Sequence, residues 1–335
     1  MQGDSTESGV GGSRRGAARG GTTSKFVPTE VAVAATTLLV DAAAADVVAA
    51  LREEGIESIL LKGPSIAQAL YPHGGARGYS DVDLLVEPSL VDRAGEVLRR
   101  LGFQPERKTV ISGRVEHHAD AWERLGDNAQ VDVHRMLPWV GVPPRDCWDV
   151  LAGETQRIRV GGADIDVLAP PALAVHIALH AVFHGATVGG PVHDLELAIE
   201  RWDGAVWWRA RAVAERLGVL AGLRAGLAMA SNGASLADEL RLPTSVPPEI
   251  ALSARGPRGA VELERLFAHR SWRDRARLVA RQAIPPKAFM YAWWPRAGRG
   301  SGWLLLAYAR RLWWIVTRIV PAVVAYRAAR RSRLR

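Results

Sequence analysis

Asp81 and Asp83 stand two apart in Ser80-Asp81-Val82-Asp83-Leu84-Leu85-Val86, and no other feature constrains the fold of this chain as tightly. The apolar run that follows predicts a strand over 82–86. Side chains alternate faces along a strand, so Asp81 and Asp83 share one side while Val82 and Leu84 take the other. Parallel carboxylates repel each other. They are tolerable when water solvates them or when a divalent cation neutralises them, and hard oxygen ligands of this kind suit Mg²⁺. A third acid stands in Val131-Asp132-Val133-His134, again in strand-like alternation, with His134 on the face of Asp132. If the two strands are neighbours, three carboxylates converge. That arrangement can hold two metal ions for in-line displacement at phosphorus.

Upstream, residues 56–61 form a short apolar run that predicts another strand. Lys62-Gly63-Pro64 reads as a turn, and Pro64 suits the first position of a helix through Tyr71. A helix N-terminus presents free backbone N–H groups to an anion. Gly63 lets a phosphate approach the backbone, while Lys62, Ser65, Arg77 and Ser80 supply charge or hydrogen bonds. These residues are the expected nucleotide contacts.

The remaining pattern divides the chain. A helix is expected over 29–54, closed by Gly55, and another from a Ser89 cap to Leu101, closed by Gly102. Residues 73–80 read as a glycine-rich loop. Weaker strands are expected at 108–112, 115–119 and 130–135, and a hairpin joins 157–160 to 164–168 through Gly161-Gly162. After Pro170-Pro171 the texture turns helical: 172–184, 193–202, 205–217, 220–230 and 263–283. The expected fold class is α/β (α+β), a mixed sheet with flanking helices followed by a helical domain.

The stretches Leu60-Leu61-Lys62-Gly63-Pro64-Ser65, Gly78-Tyr79-Ser80-Asp81-Val82-Asp83-Leu84-Leu85-Val86 and Val131-Asp132-Val133-His134-Arg135 resemble the nucleotidyltransferase superfamily, the fold of DNA polymerase beta. The branch usually called uncharacterised nucleotidyltransferase is the most similar. By that resemblance Gly63 is the turn glycine, Asp81 and Asp83 the metal-binding pair, and Asp132 the third carboxylate. The usual Gly-Gly or Gly-Ser turn is here Lys62-Gly63-Pro64. The resemblance implies Mg²⁺ (or Mn²⁺), a nucleoside triphosphate, and transfer of a nucleoside monophosphate to a hydroxyl with loss of pyrophosphate. A small-molecule acceptor is expected over a protein one. The alternatives are a non-catalytic nucleotide- or partner-binding module on the same scaffold, or an enzyme that adenylylates proteins. From the resemblance together with the composition of the two ends, the expected organisation is a leader over 1–25, a catalytic domain over 26–168, a helical substrate domain over 169–297 and a basic amphipathic helix with its tail over 298–335. His134, His180 and Asp194 are expected to face the substrate cleft between the two domains.

Charge and cysteine content narrow the setting. The chain of 335 residues carries a formal charge of +8, from 43 basic and 35 acidic residues, with the excess gathered in its two tails. Such a balance favours anionic partners. Cys147 is the single cysteine, so no intrachain disulfide and no cysteine-only metal cage can form. A reducing cytoplasm is the expected location, and the N-terminal residues carry no apolar signal-like run. His176, His180 and His184 recur every four residues and form one helical stripe. The outer two are separated by roughly 12 Å along the helix, too far to share one ion. Packing or cleft roles are therefore expected for them, and His193-Asp194 reads as a helix start. Five of the 12 Trp fall after residue 290. Residues 303–335 mix Trp, aliphatic residues and Arg. Arg310, Arg311 and Arg318 interrupt any span of the ~20 apolar residues needed to cross a bilayer. An amphipathic helix lying on an anionic membrane surface is the expected use. Nothing in the sequence resembles a base-reading module, so sequence-specific nucleic-acid binding is not expected.

Overall fold

The computed structural model describes residues 29–71, 77–106, 118–186, 188–256, 271–273, 280 and 283–331. The expected leader, the strand at 108–112, most of the strand at 115–119, His117, most of the helix at 263–283 and the last four residues of the basic tail lie outside them.

A seven-stranded mixed sheet organises the first half. Its strands are β1 (Ser58–Leu60), β2 (Val82–Val86), β3 (Gln104–Pro105), β4 (Ala119–Arg124), β5 (Ala129–His134), β6 (Thr155–Val160) and β7 (Ala163–Leu168). They lie in the order β3-β4-β5-β2-β1-β7-β6. β2 runs parallel to β5 and β1 parallel to β7; the other neighbours are antiparallel. Gly161 and Gly162, with φ of 56° and 85°, make the tight turn between β6 and β7. Two positive φ angles in succession are what a hairpin of this length requires.

Alternation sends the sheet's side chains into two cores. Leu60, Val82, Leu84, Val86, Val131, Val133 and Val167 pack beneath α1 (Thr29–Glu53) and α3 (Val91–Arg100). Ile59, Leu61 and Leu85 point the other way, into a second core built with the helical half. That half centres on α5 (Pro170–His184), whose residues 171–179 are all buried. A helix apolar on every side needs neighbours on every side. α2 (Pro64–Leu70), α4 (Pro144–Ala152), α6 (Gly189–Arg201), α7 (Gly204–Arg216), α8 (Leu220–Leu227), α9 (Gly233–Glu239) and α10 (Pro248–Arg255) supply them. Farther on lie α11 (Lys287–Trp293) and the long α12 (Ser301–Arg331).

Several local expectations shift. Ser89 does not cap α3; its hydroxyl donates to Glu87 Oε1 at 2.7 Å, inside a 3₁₀ turn at Pro88–Leu90 that precedes the helix. α6 begins at Gly189, four residues before the expected start, because Pro191 falls in its first turn where no N–H is needed. Asp194 is thus inside the helix rather than at its dipolar end. The short helices α4, α9 and α10 and the strand over 119–124 were not expected.

α1 is the one helix among the described residues long and apolar enough to cross a membrane. Its second half nevertheless packs on the sheet through Val40, Val47 and Leu51, and its Asp41 accepts a 2.7 Å hydrogen bond from the Tyr79 hydroxyl.

A buried clamp ties the helical half to the sheet half. Arg77 donates through Nε and Nη2 to the two carboxylate oxygens of Asp194, at 3.0 and 2.8 Å, and the Tyr71 hydroxyl donates to the same carboxylate at 2.8 Å. Asp194 is 2% exposed. A buried charge left without its partner costs about 3–5 kcal/mol. Arg77→Met should therefore destabilise the protein by about 3 kcal/mol in urea unfolding. Arg77→Met with Asp194→Leu should recover most of the loss; equal stability of wild type and Arg77→Met would refute the clamp.

Candidate active site

The site starts from backbone pairing. Asp83 and Asp132 are direct register partners across the parallel β2–β5 pair, and Leu85 partners His134. All four therefore stand on the face that meets the helical half. One ligand atom each from Asp83, Asp132 and His134 lies within 4.8 Å of the others, the one such group found among the described residues. Asp81 sits just before β2 and joins them through Lys62.

Lys62 arrives by the ladder of β1. The Leu61 N–H donates to the Asp83 carbonyl at 2.9 Å, extending the antiparallel pairing by one residue. The chain then turns at Gly63, whose φ of 67° and ψ of −115° only glycine adopts without strain. Lys62 Nζ lies 3.0 Å from Asp81 Oδ2 and 3.0 Å from Asp83 Oδ2. The second contact is an ion pair outside hydrogen-bond geometry, so Asp83 Oδ2 is buried without a hydrogen-bond donor.

Asp83 is 1% exposed and holds its charge. Burial pushes its carboxyl up, but the hydrogen bond from His134 and the charge of Lys62 outweigh burial and hold it well below the usual carboxylate range. An ionised carboxylate only accepts, so His134 Nε2 carries the proton of its 3.0 Å bond to Asp83 Oδ1. Lys62 responds in kind: burial lowers it, yet Asp83 and Asp81 raise it well above the ordinary lysine value. Asp132 has no such support. Burial, and then the neighbouring Asp83 charge, push it up to about 6.

The helical half closes over this face with histidines. His176 is buried with neither ring nitrogen hydrogen-bonded. Burial, and then the charges of the site, push it down to about 3, so it is neutral at pH 7. His180 stacks on it at 5.9 Å and meets His184 at 4.4 Å. Burial also lowers His180, and the Lys62 charge adds to it. The His118 ring lies 5.8 Å from that of His134.

The expected site residues are thus distributed unevenly. Asp81, Asp83, Asp132, Lys62 and His134 converge, while the contacts of His180 are with the rings of His176 and His184. Ser65 is buried with its hydroxyl unpartnered, whereas Ser80 is exposed and 3.5 Å from Asp81 Oδ1. Arg77 and Asp194, expected separately as a nucleotide contact and a cleft residue, pair with each other. Tyr71 was not expected, and His176 was expected only as one of three histidines with a packing or cleft role. The four-residue spacing of the histidines flagged His176 as one of a stripe, but no sequence signal marked Tyr71.

The donor set fits a hard dication. Asp83 Oδ2 is buried with only the Lys62 ammonium against it, and Asp132 beside it is costly to ionise until positive charge arrives.

The family described as uncharacterised nucleotidyltransferase matches residues 22–232. No curated protein sequence matches. Among solved structures, an antigenic nucleotidyltransferase-like protein from Paracoccidioides brasiliensis aligns at 14% identity, covering 56% of this chain and 92% of that one, with a TM-score of 0.33.

Asp132 gives a pH signature without metal. Its folded value of about 6 lies above the ordinary 3.8, so its charge costs stability once the pH rises through 6 and costs nothing below 3.8. Asp132→Asn should stabilise the metal-free protein by up to about 3 kcal/mol at pH 8, with the gain gone by pH 4. Thermal unfolding across that range checks it; a destabilised variant at pH 8 would refute the assignment.

Proposed function

Because the chain belongs to the uncharacterised nucleotidyltransferase family, we propose that it transfers a nucleoside monophosphate from a nucleoside triphosphate to a hydroxyl acceptor, with release of pyrophosphate. The observation that carries this reading is the pairing of Asp83 with Asp132 in register, with Asp81 drawn in by Lys62. Asp81, Asp83 and Asp132 would hold Mg²⁺ or Mn²⁺. When bound, the ion supplies neutralisation of triphosphate charge and polarisation of phosphoryl oxygen.

The chain's own residues do the rest. His134 fixes one oxygen of Asp83, so the other keeps a single direction. Asp132 either completes the metal site or takes the proton of the attacking hydroxyl. Lys62 and the Gly63 turn receive the phosphates, with Ser65 and Ser80 adding hydroxyl donors. The face opposite the sheet, with His176 and His180, receives the acceptor; neutral imidazoles there offer one donor and one acceptor each, which matches a hydroxyl. A site whose Asp83 and His176 are buried suits a small molecule better than a folded protein. Positioning and charge neutralisation account for most of the expected acceleration.

The test is pyrophosphate release from ATP, CTP, GTP and UTP with Mg²⁺ and a metabolite extract as acceptor. Wild type should release pyrophosphate, and Asp83→Asn should lose at least about a hundredfold with its fold intact. Equal release by both would refute the reading. Nucleotide binding without turnover would point to a non-catalytic module, and label appearing on protein would point to protein adenylylation.

A separate observation bears on the C-terminal helix. On α12, Leu304, Ala307 and Tyr308 pack against Met290 and Ala297, and Arg311 stacks on Phe289 and Trp293. Arg310 lies over Trp294, so these two arginines lie over aromatic rings rather than forming the fully solvated arc of a two-faced helix. Leu305, Leu312, Trp313 and Val316 are exposed instead, with Trp313 at 70%. We propose that this apolar strip, with the basic residues beyond it, seats the protein on an anionic membrane from the cytoplasmic side. Co-sedimentation should recover the protein with anionic vesicles and not with neutral ones. Leu305→Ser with Trp313→Ser should abolish it; no binding by wild type would refute the proposal.

A further inference from the structure

The ammonium of Lys62 stands where cationic charge is needed most. The two oxygens it contacts, Asp81 Oδ2 and Asp83 Oδ2, belong to carboxylates that the proposed function assigns to a metal. The two cations compete directly. Like charges sharing one pair of oxygens exclude each other. Both therefore cannot be seated at once.

The anchoring differs on the two sides of this contact. Asp83 is fixed by burial, by His134 and by the strand ladder. The Lys62 backbone is also fixed, between the Leu61-to-Asp83 bond and the Ala67 N–H bond to the Gly63 carbonyl. Its side chain is not. It is 20% exposed, and a four-carbon stem carries its charge. Asp83 must stay, and the ammonium can leave.

We infer that Lys62 is an exchangeable counter-ion, which holds Asp81 and Asp83 together while no metal is bound and is displaced from them when a divalent cation enters. This rests on the proposed function. It goes further by making Lys62 an antagonist of the metal alone and a partner of the metal with nucleotide. Once displaced, the ammonium meets the negative charge of the triphosphate beside the Gly63 turn. Metal and nucleotide therefore assist each other, since the phosphates receive the group that the metal evicts. Metal without nucleotide has to leave that group unpaired.

The experiment is a Mn²⁺ titration of the full chain without nucleotide, with free Mn²⁺ read by electron paramagnetic resonance. Wild type, Lys62→Met and Lys62→Arg are compared. Lys62→Met should bind Mn²⁺ at least about tenfold more tightly than wild type, and Lys62→Arg no more tightly. A non-hydrolysable ATP analogue should tighten Mn²⁺ binding more in wild type than in Lys62→Met. Thermal unfolding guards against a folding artefact. Without its counter-ion, metal-free Lys62→Met should melt below wild type, and Mn²⁺ should raise its melting temperature by more. If wild type binds Mn²⁺ and a folded Lys62→Met binds it equally or more weakly, the inference is overturned while the proposed function survives. If neither binds Mn²⁺, with or without the analogue, the proposed function fails and the inference fails with it.

Discussion

The parallel pairing of β2 with β5 sets Asp83 beside Asp132, and the candidate site follows from that register. A shift of one residue would send Asp132 to the opposite face and put Val131 or Val133 in its place. The register is held by Val82, Leu84, Val131 and Val133, which need the core beneath α1 and α3. Apolar burial on one face thus enforces carboxylate crowding on the other. The crowding is offset unequally. Asp83 has a hydrogen bond from His134 and the Lys62 ammonium at 3.0 Å, whereas Asp132 forms neither contact, and burial with the Asp83 charge keeps its proton up to about pH 6. A site built this way is short of positive charge, which is the condition a dication relieves.

The helical half makes this more than a sheet with acids on it. Arg77 and Tyr71 come from the chain flanking the Gly63 turn's helix, and Asp194 from α6, so the clamp joins the two halves close to the acids. His176 carries two unpartnered nitrogens in a buried position, a cost that hydrogen bonds to a bound hydroxyl compound would remove.

The legible parts of the chain were those with local rules. The two-residue spacing of Asp81 and Asp83, the alternation around Asp132 and His134, the Gly161-Gly162 hairpin and the apolar run of α5 all state their geometry within a few residues. What was not legible needed contacts distant in sequence. Arg77 reads as a nucleotide contact and Asp194 as a cleft residue, and nothing near either one names the other across 117 positions. Lys62 looked like a phosphate ligand because its two carboxylate partners follow 19 and 21 residues later. The start of α6 was misjudged because Gly189 and Gly190 resemble a loop, although Pro191 suits a first helical turn. Short helices such as α9 lack enough turns to display a period.

The most direct measurement is anomalous diffraction from crystals grown with Mn²⁺ and a non-hydrolysable nucleoside triphosphate. The expected result is a manganese peak bonded to carboxylate oxygens of Asp83 and Asp132, with the phosphates beside it and the Lys62 ammonium turned towards them. A nucleotide bound elsewhere, with Lys62 still bridging Asp81 and Asp83 and no metal at the carboxylates, would contradict it.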